Sequence, residues 1–180
     1  MNLPNKLTVF RVVLIPFFIV ALLLPDYIPY NNFVALAIFI IASVTDWFDG
    51  KIARKNNLVT NFGKFMDPLA DKLLVCSALI CLVELKRIPS WMVIIIIARE
   101  FFISGFRLVA SDNGVVISAS WWGKWKTGFQ MLAVGFLIAD LPWQPAYITG
   151  QICLWIAIVL TIISMFDYLF KNRDVMKEVK

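Results

Sequence analysis

Four aspartates, Asp46, Asp49, Asp67 and Asp71, fall within the stretch DWFDGKIARKNNLVTNFGKFMDPLAD, and they are a third of the 12 acidic residues in a chain of 180. Read as helix, Asp46 and Asp49 stand three apart, and Asp67 and Asp71 stand four apart, so each pair shares one helix face. The residues between Arg54 and Gly63 are polar or irregular and numerous enough for the chain to reverse, which would bring the two faces together. The chain has no His, and no Cys lies in this stretch. Four converging carboxylates cannot remain charged and unpaired in a low-dielectric setting. An all-oxygen, strongly anionic site suits hard divalent cations, Mg2+ or Mn2+. Two such ions would neutralise all four carboxylates, and paired metals about 4 Å apart serve phosphoryl-group chemistry.

The elements that must carry these residues are apolar. Hydrophobic residues make up 61% of the chain and its mean hydropathy is +0.80, far outside the soluble globular range. The composition implies an all-α integral membrane protein in a single domain covering 1–180. The apolar run after MNLPNKLTVFR has no cleavage site behind it and reads as a retained span rather than a signal peptide. Cys76, Cys81 and Cys153 sit in apolar runs without metal spacing and read as thiols of the interior. The absence of His removes the usual neutral-pH base and leaves acid–base chemistry to carboxylates or Lys.

Six apolar stretches occupy about 7–24, 33–45, 73–85, 91–109, 127–141 and 147–170. A helix needs roughly 20 residues to cross about 30 Å of hydrocarbon. The second and third runs reach that length only if their helices continue through the acidic stretch, over about 33–54 and 67–86. At about 1.5 Å per residue, Asp46 then lies roughly 20 Å from Phe33 and Asp71 roughly 22 Å from Lys86. Both estimates place the carboxylates a turn or two below the headgroups, in a cavity open to water on one side.

Charge gives the orientation. Of 17 Lys and Arg, all but Lys86, Arg87 and Arg99 fall on the side of the two termini. The positive-inside rule puts the termini and the carboxylates on the cytoplasmic face of a multi-pass protein of the cell (inner) membrane. Trp121, Trp122 and Trp125 on that side, and Trp91 and Trp143 on the other, read as interfacial anchors.

The pattern DxxDGxxAR, eight residues, GxxxDxxxD is met at Asp46, Asp49, Gly50, Ala53, Arg54, Gly63, Asp67 and Asp71. It resembles the signature of the CDP-alcohol phosphatidyltransferase family. The blocks PNKLTVFR, TDWFDG, ADKLLV, ARE at 98–100 and GKWKT at 123–127 resemble the branch of that family whose acceptor is sn-glycerol 3-phosphate. The resemblance implies a bundle of six transmembrane helices, a homodimer in a lipid membrane with no nucleic-acid partner. It implies transfer of the phosphatidyl group of CDP-diacylglycerol to the hydroxyl of sn-glycerol 3-phosphate, with release of CMP. It also implies that Asp46, Asp49, Asp67 and Asp71 bind two divalent metals, that Asp71 is the general base, and that Gly50, Ala53, Arg54 and Gly63 line the CDP site. Asn5 and Thr8, which recur with Arg11 at three-residue intervals, are implied to approach the nucleotide; the plainer reading is helix entry and interfacial anchoring.

The residue types suit those roles. Gly50 and Ala53 leave room for a nucleotide against the helix backbone, and Arg54 offers a planar, permanently charged fork for phosphate. A metal-bound Asp71 is a weak base, because an Asp titrates near 4, so its task would be to receive a proton as attack develops. For the acceptor, Arg107, Lys124 and Lys126 at the cytoplasmic ends of the fourth and fifth spans are expected to clamp the phosphate of glycerol phosphate, against the alternative of positive-inside topology with anionic-lipid contact. Arg99 is a charge inside a span and so a functional candidate. Glu100 is its neighbour, but adjacent helix residues do not face each other, so no pair between them is assumed. Asp167 is a possible buried partner for a base, with no role assigned.

Two other readings use the same residues. Another synthase of this family, making phosphatidylserine, phosphatidylinositol phosphate or cardiolipin, would differ only in the acceptor pocket. A divalent-cation transporter would also place acids in a membrane, but the acids here cluster on one side and no inverted repeat is visible.

Overall fold

The computed structural model describes residues 3–55, 61–112 and 120–171, with side chains described for all of these except 3–6, 46–55, 61–68, 71, 108–109 and 111–112. Among the described residues there are six helices and no strand: α1 Leu3–Leu23, α2 Asn31–Lys55, α3 Asn61–Glu84, α4 Ser90–Asp112, α5 Trp121–Ala139 and α6 Gln144–Lys171. α2 and α3 run through the acidic stretch from both sides, as the shortness of the second and third apolar runs requires. By length and composition, one described helix, α6, is long and apolar enough to cross a membrane; shorter apolar helical segments occupy Leu7–Leu23 and Asn31–Thr45. The six expected helices are therefore present, while length and composition alone mark α6 as a span.

The chain divides into two compact units, Met1–Ile88 with Leu137–Pro142, and Pro89–Phe136 with Trp143–Lys180. Both lie inside the stretch that the sequence reads as one domain.

In the first unit α1 packs against both α2 and α3. Its buried stripe is Thr8, Arg11, Ile15, Phe18 and Leu22, spaced three, four, three and four, the period that keeps side chains on one helix face. The other faces stay apolar although exposed, through Phe10, Val13, Phe17 and Val20. A helix apolar all round belongs in a large core or in lipid. On α2 the buried stripe is Ala35, Phe39 and Ala42, and Phe39 meets Phe18 with ring centroids 6.1 Å apart. Small residues on either side of Phe39 let the two helices approach. At the helix junction the Asn31 side-chain amide donates to the Leu22 carbonyl at 3.2 Å, capping the end of α1. Ser43 and Thr45 turn their hydroxyls onto the carbonyls of Phe39 and Ile41, at 2.7 and 2.6 Å, which removes their polar cost on an apolar helix.

α3 ends in a Schellman arrangement. The Arg87 amide donates to the Leu82 carbonyl and the Lys86 amide to the Val83 carbonyl, both at 2.9 Å, around a left-handed Lys86 (φ 58°). This turn aims the Arg87 side chain at the far end of α5. Its guanidinium donates to the carbonyls of Leu137 (2.8 Å) and Ile138 (3.2 Å), to the Asn32 side chain (3.2 Å) and to Asp140 (2.7 Å). Burial pulls the Arg87 pKa down and Asp140 pushes it back up; the group keeps its charge, as arginine does.

In the second unit α4 packs along α6. Trp91 meets Trp155 with centroids 5.7 Å apart, and Phe106 meets Tyr168 edge-on at 5.5 Å, so the two helices run parallel in register. Small and hydroxyl residues line the buried face of α6, namely Gly150, Cys153, Ala157, Thr161 and Ser164. α5 is preceded by Ser120, whose hydroxyl accepts the Gly123 amide at 3.1 Å as an N-cap. Lys126, Gln130 and Ala133 form its buried stripe within this unit, while Trp121, Trp122 and Trp125 are exposed.

Candidate functional site

The acidic motif sits on helices of the first unit. Positions 46, 49, 50, 53 and 54 belong to α2, and 63, 67 and 71 to α3. The side chains of Asp46, Asp49, Ala53, Arg54, Asp67 and Asp71, together with Asn5 and the surroundings of Gly50 and Gly63, lie outside the described residues. What is described is the register leading to them. The α2 stripe of Ala35, Phe39 and Ala42 advances by four and three, and the next steps of four and three are positions 46 and 49. On α3, Ala70, Leu74 and Ala78 are buried, and position 67 lies three before Ala70 on the same face.

Thr8 and Arg11 are fully described, and both are buried, at 1% and 0% exposure. Phe18 touches Phe39 on an antiparallel neighbour. Seven residues back from Phe18 is Arg11, and seven residues on from Phe39 is position 46; seven residues is close to two helical turns. The helix register therefore brings Arg11 to the level of the acidic stretch. The sequence treats Arg11 as an entry residue of α1, whereas the structure makes it one of the most deeply buried cations among the described residues.

The second unit holds a polar cluster built from three helices. Arg99 on α4 donates through Nε to Ser164 Oγ on α6 at 3.2 Å, and through Nη1 to Glu100 Oε1 at 3.4 Å. Lys126 on α5 forms an ion pair with the same Glu100 oxygen. Ser164 passes the chain on, donating to the Thr161 carbonyl at 3.0 Å. Arg99 is 7% exposed and Lys126 1%. Arg99 and Glu100 do pair, against the helix-spacing expectation. Spacing fixes where each Cβ points, but both side chains are long and bend toward α5, where Lys126 draws the carboxylate.

The three basic residues named for the acceptor differ in their surroundings. Lys126 is buried in this cluster, while Lys124, two residues away, is exposed with its ammonium 6.0 Å from the Trp121 ring centroid. Two residues turn a helix by about 200°, so the two lysines leave α5 on different sides. Arg107 is half-buried, with its guanidinium carbon 5.6 Å over the Tyr168 ring and no hydrogen-bond partner for Nε among the described residues. Asp167 pairs with Lys171 one turn on, at 2.7 Å. Glu100 is the residue whose importance the sequence understates. The available signal was an acid inside an apolar run, which needs a partner.

A family model described as CDP-alcohol phosphatidyltransferase matches residues 1–163. A Bacillus subtilis (strain 168) protein named CDP-diacylglycerol--glycerol-3-phosphate 3-phosphatidyltransferase is 46% identical over 188 residues, covering 98% of this chain and 97% of that protein. Proteins of the same name from Haemophilus influenzae and Escherichia coli (strain K12) are 47% and 42% identical, covering 93% and 96% of this chain and 91% and 95% of their own lengths.

Proposed function

The chain belongs to the CDP-alcohol phosphatidyltransferase family, and from that premise we propose that it transfers the phosphatidyl group of CDP-diacylglycerol to sn-glycerol 3-phosphate, yielding phosphatidylglycerophosphate and CMP. The observation that carries this reading is near-full-length similarity to relatives of that one named activity, over a chain that keeps every position of the DxxDGxxAR–GxxxDxxxD pattern.

The reaction divides among the residues as follows. The acceptor hydroxyl forms a new O–P bond to the phosphatidyl phosphorus, the pyrophosphate bond to CMP breaks, and the hydroxyl proton passes to Asp71. Asp46, Asp49, Asp67 and Asp71 are an all-oxygen donor set on two helices of one unit, which fits a pair of Mg2+ or Mn2+ ions. When bound, those ions supply Lewis-acid polarisation of the pyrophosphate and neutralise charge on the departing CMP. Gly50, Ala53 and Gly63 leave space for the cytidine nucleotide, Arg54 holds its phosphate, and Asn5 and Thr8 approach it from α1; the burial of Thr8 on the stripe leading to the motif supports that placement. Arg107 and Lys126 hold the phosphate of the acceptor, and Lys124, on the exposed side of α5, donates to it from the water side. All six helices cross the cell membrane, the motif faces the cytoplasm, and the enzyme works as a homodimer. The exposed apolar faces of α1 and α2 support a lipid surround.

Release of CMP by the purified protein tests the assignment. Release should require both CDP-diacylglycerol and sn-glycerol 3-phosphate, cease with EDTA and return with Mg2+ or Mn2+. Asp71→Asn should keep CDP-lipid binding and lose turnover. CMP release that ignores glycerol phosphate, or near-normal turnover by Asp71→Asn, would contradict the acceptor or the base respectively.

A further inference from the structure

Buried cations seldom improve a fold. Replacing a buried ion pair with apolar residues is often neutral or stabilising, whereas removing one partner alone is strongly destabilising. The Glu100 cluster is therefore better understood as fixing where charge sits than as holding helices together. Its geometry supports that view. The Arg99 guanidinium is set by Ser164 on α6 at Nε and by Glu100 at Nη1, and its Nη2 lies toward Gly123 of α5. On the α5 side the fit is close at Gly123: a Cβ there would stand 3.2 Å from Arg99 Nη2, so the guanidinium would have to give by a few tenths of an ångström. Lys126 follows Gly123 by three residues and so leaves α5 on the same face, meeting the Glu100 oxygen that Arg99 also meets. A lysine ammonium on a four-carbon stem has many positions open to it. One carboxylate shared with an arginine that is itself held by Ser164 narrows them.

We propose that Glu100 is a positioning residue for the acceptor: it holds Lys126 and Arg99 where the phosphate of the acceptor alcohol is received, with Gly123 as the clearance that lets Arg99 take its place. This rests on the phosphatidyl-transfer reading and deepens it. Glu100 does not touch the reacting atoms. It acts through the two cations, so its loss should be felt in acceptor recognition and not in use of the CDP-lipid.

Steady-state kinetics of the full chain in detergent test this, with CDP-diacylglycerol and sn-glycerol 3-phosphate each varied in turn and thermal unfolding followed in parallel. Glu100→Gln should raise the KM for glycerol phosphate tenfold or more while the KM for CDP-diacylglycerol stays within twofold, and Glu100→Asp should recover part of the loss. The double variant Glu100→Gln with Lys126→Met should regain thermal stability without regaining the acceptor KM. Gly123→Ala serves where Glu100→Gln does not fold; it should raise the acceptor KM two- to fivefold at an unchanged unfolding temperature. The proposal is overturned where Glu100→Gln lowers stability but leaves both KM values within twofold, where the double variant restores the wild-type acceptor KM, or where Gly123→Ala leaves it unmoved. A wild-type protein that releases no CMP in response to glycerol phosphate would instead overturn the transfer reading itself.

Discussion

Among the described residues, Arg87 and Arg99 each organise a polar cluster, and they are held in different ways. Arg87, just past the end of α3, meets Asp140 and also donates to the Leu137 and Ile138 carbonyls and to Asn32. Among the described residues this cluster pairs the cation with Asp140 and satisfies C-terminal carbonyls of α5, which a helix end leaves open. Arg99, within α4, shares a single carboxylate with a second buried cation, Lys126. The first arrangement closes on itself among backbone groups and fastens chain turns. The second, among the described residues, gathers two positive groups around one negative group on three helices. The second is the arrangement on which the proposed reception of the acceptor phosphate rests.

Substitutions separate the two clusters. The largest effect is expected from Arg99→Met, with kcat/KM for glycerol phosphate falling on the order of 100-fold, about 2.7 kcal/mol of transition-state stabilisation; a fall of less than threefold would place Arg99 alongside Arg87. Arg87→Met should reduce stability by about 2–3 kcal/mol, since it removes charged hydrogen bonds to partly buried groups, while both KM values stay within twofold. Unfolding by detergent titration reads the first quantity, and a selective change in the acceptor KM would erase the contrast. Lys124→Ala comes next, with a rise in the acceptor KM of roughly tenfold, near the lower end for a charged hydrogen bond; an equal rise for the CDP-lipid would move Lys124 out of the acceptor site. Asp140→Asn should be smallest, under about 1 kcal/mol in stability, because the Asp140 side chain is 47% exposed and exposed pairs contribute little.

The parts of this molecule legible from sequence are those set along one helix. The second and third apolar runs are too short to stand alone, and α2 and α3 do continue through the acidic stretch. The stripe on α1 is likewise periodic in the chain itself. What was not legible depends on side-chain reach between helices. Arg87 looks like a loop cation, and only the turn around Lys86 aims it at the end of α5. Lys124 and Lys126 look like one basic patch, yet helical rotation buries one and exposes the other. Arg99 and Glu100 look unable to pair as neighbours, and a third helix brings their ends together. Arg11 has the composition of an interfacial anchor, and its burial beside the level of position 46 follows from the seating of Phe18 on Phe39.

The identity of the lipid formed is the most direct test of what this chain does. Purified protein with CDP-diacylglycerol and Mg2+ would be offered sn-glycerol 3-phosphate, serine, inositol phosphate and phosphatidylglycerol in competition, and the extracted product identified by mass spectrometry. Phosphatidylglycerophosphate, formed in step with CMP, is the expected product. A lipid made from any of the other three acceptors in preference, or no new phospholipid at all, would contradict it.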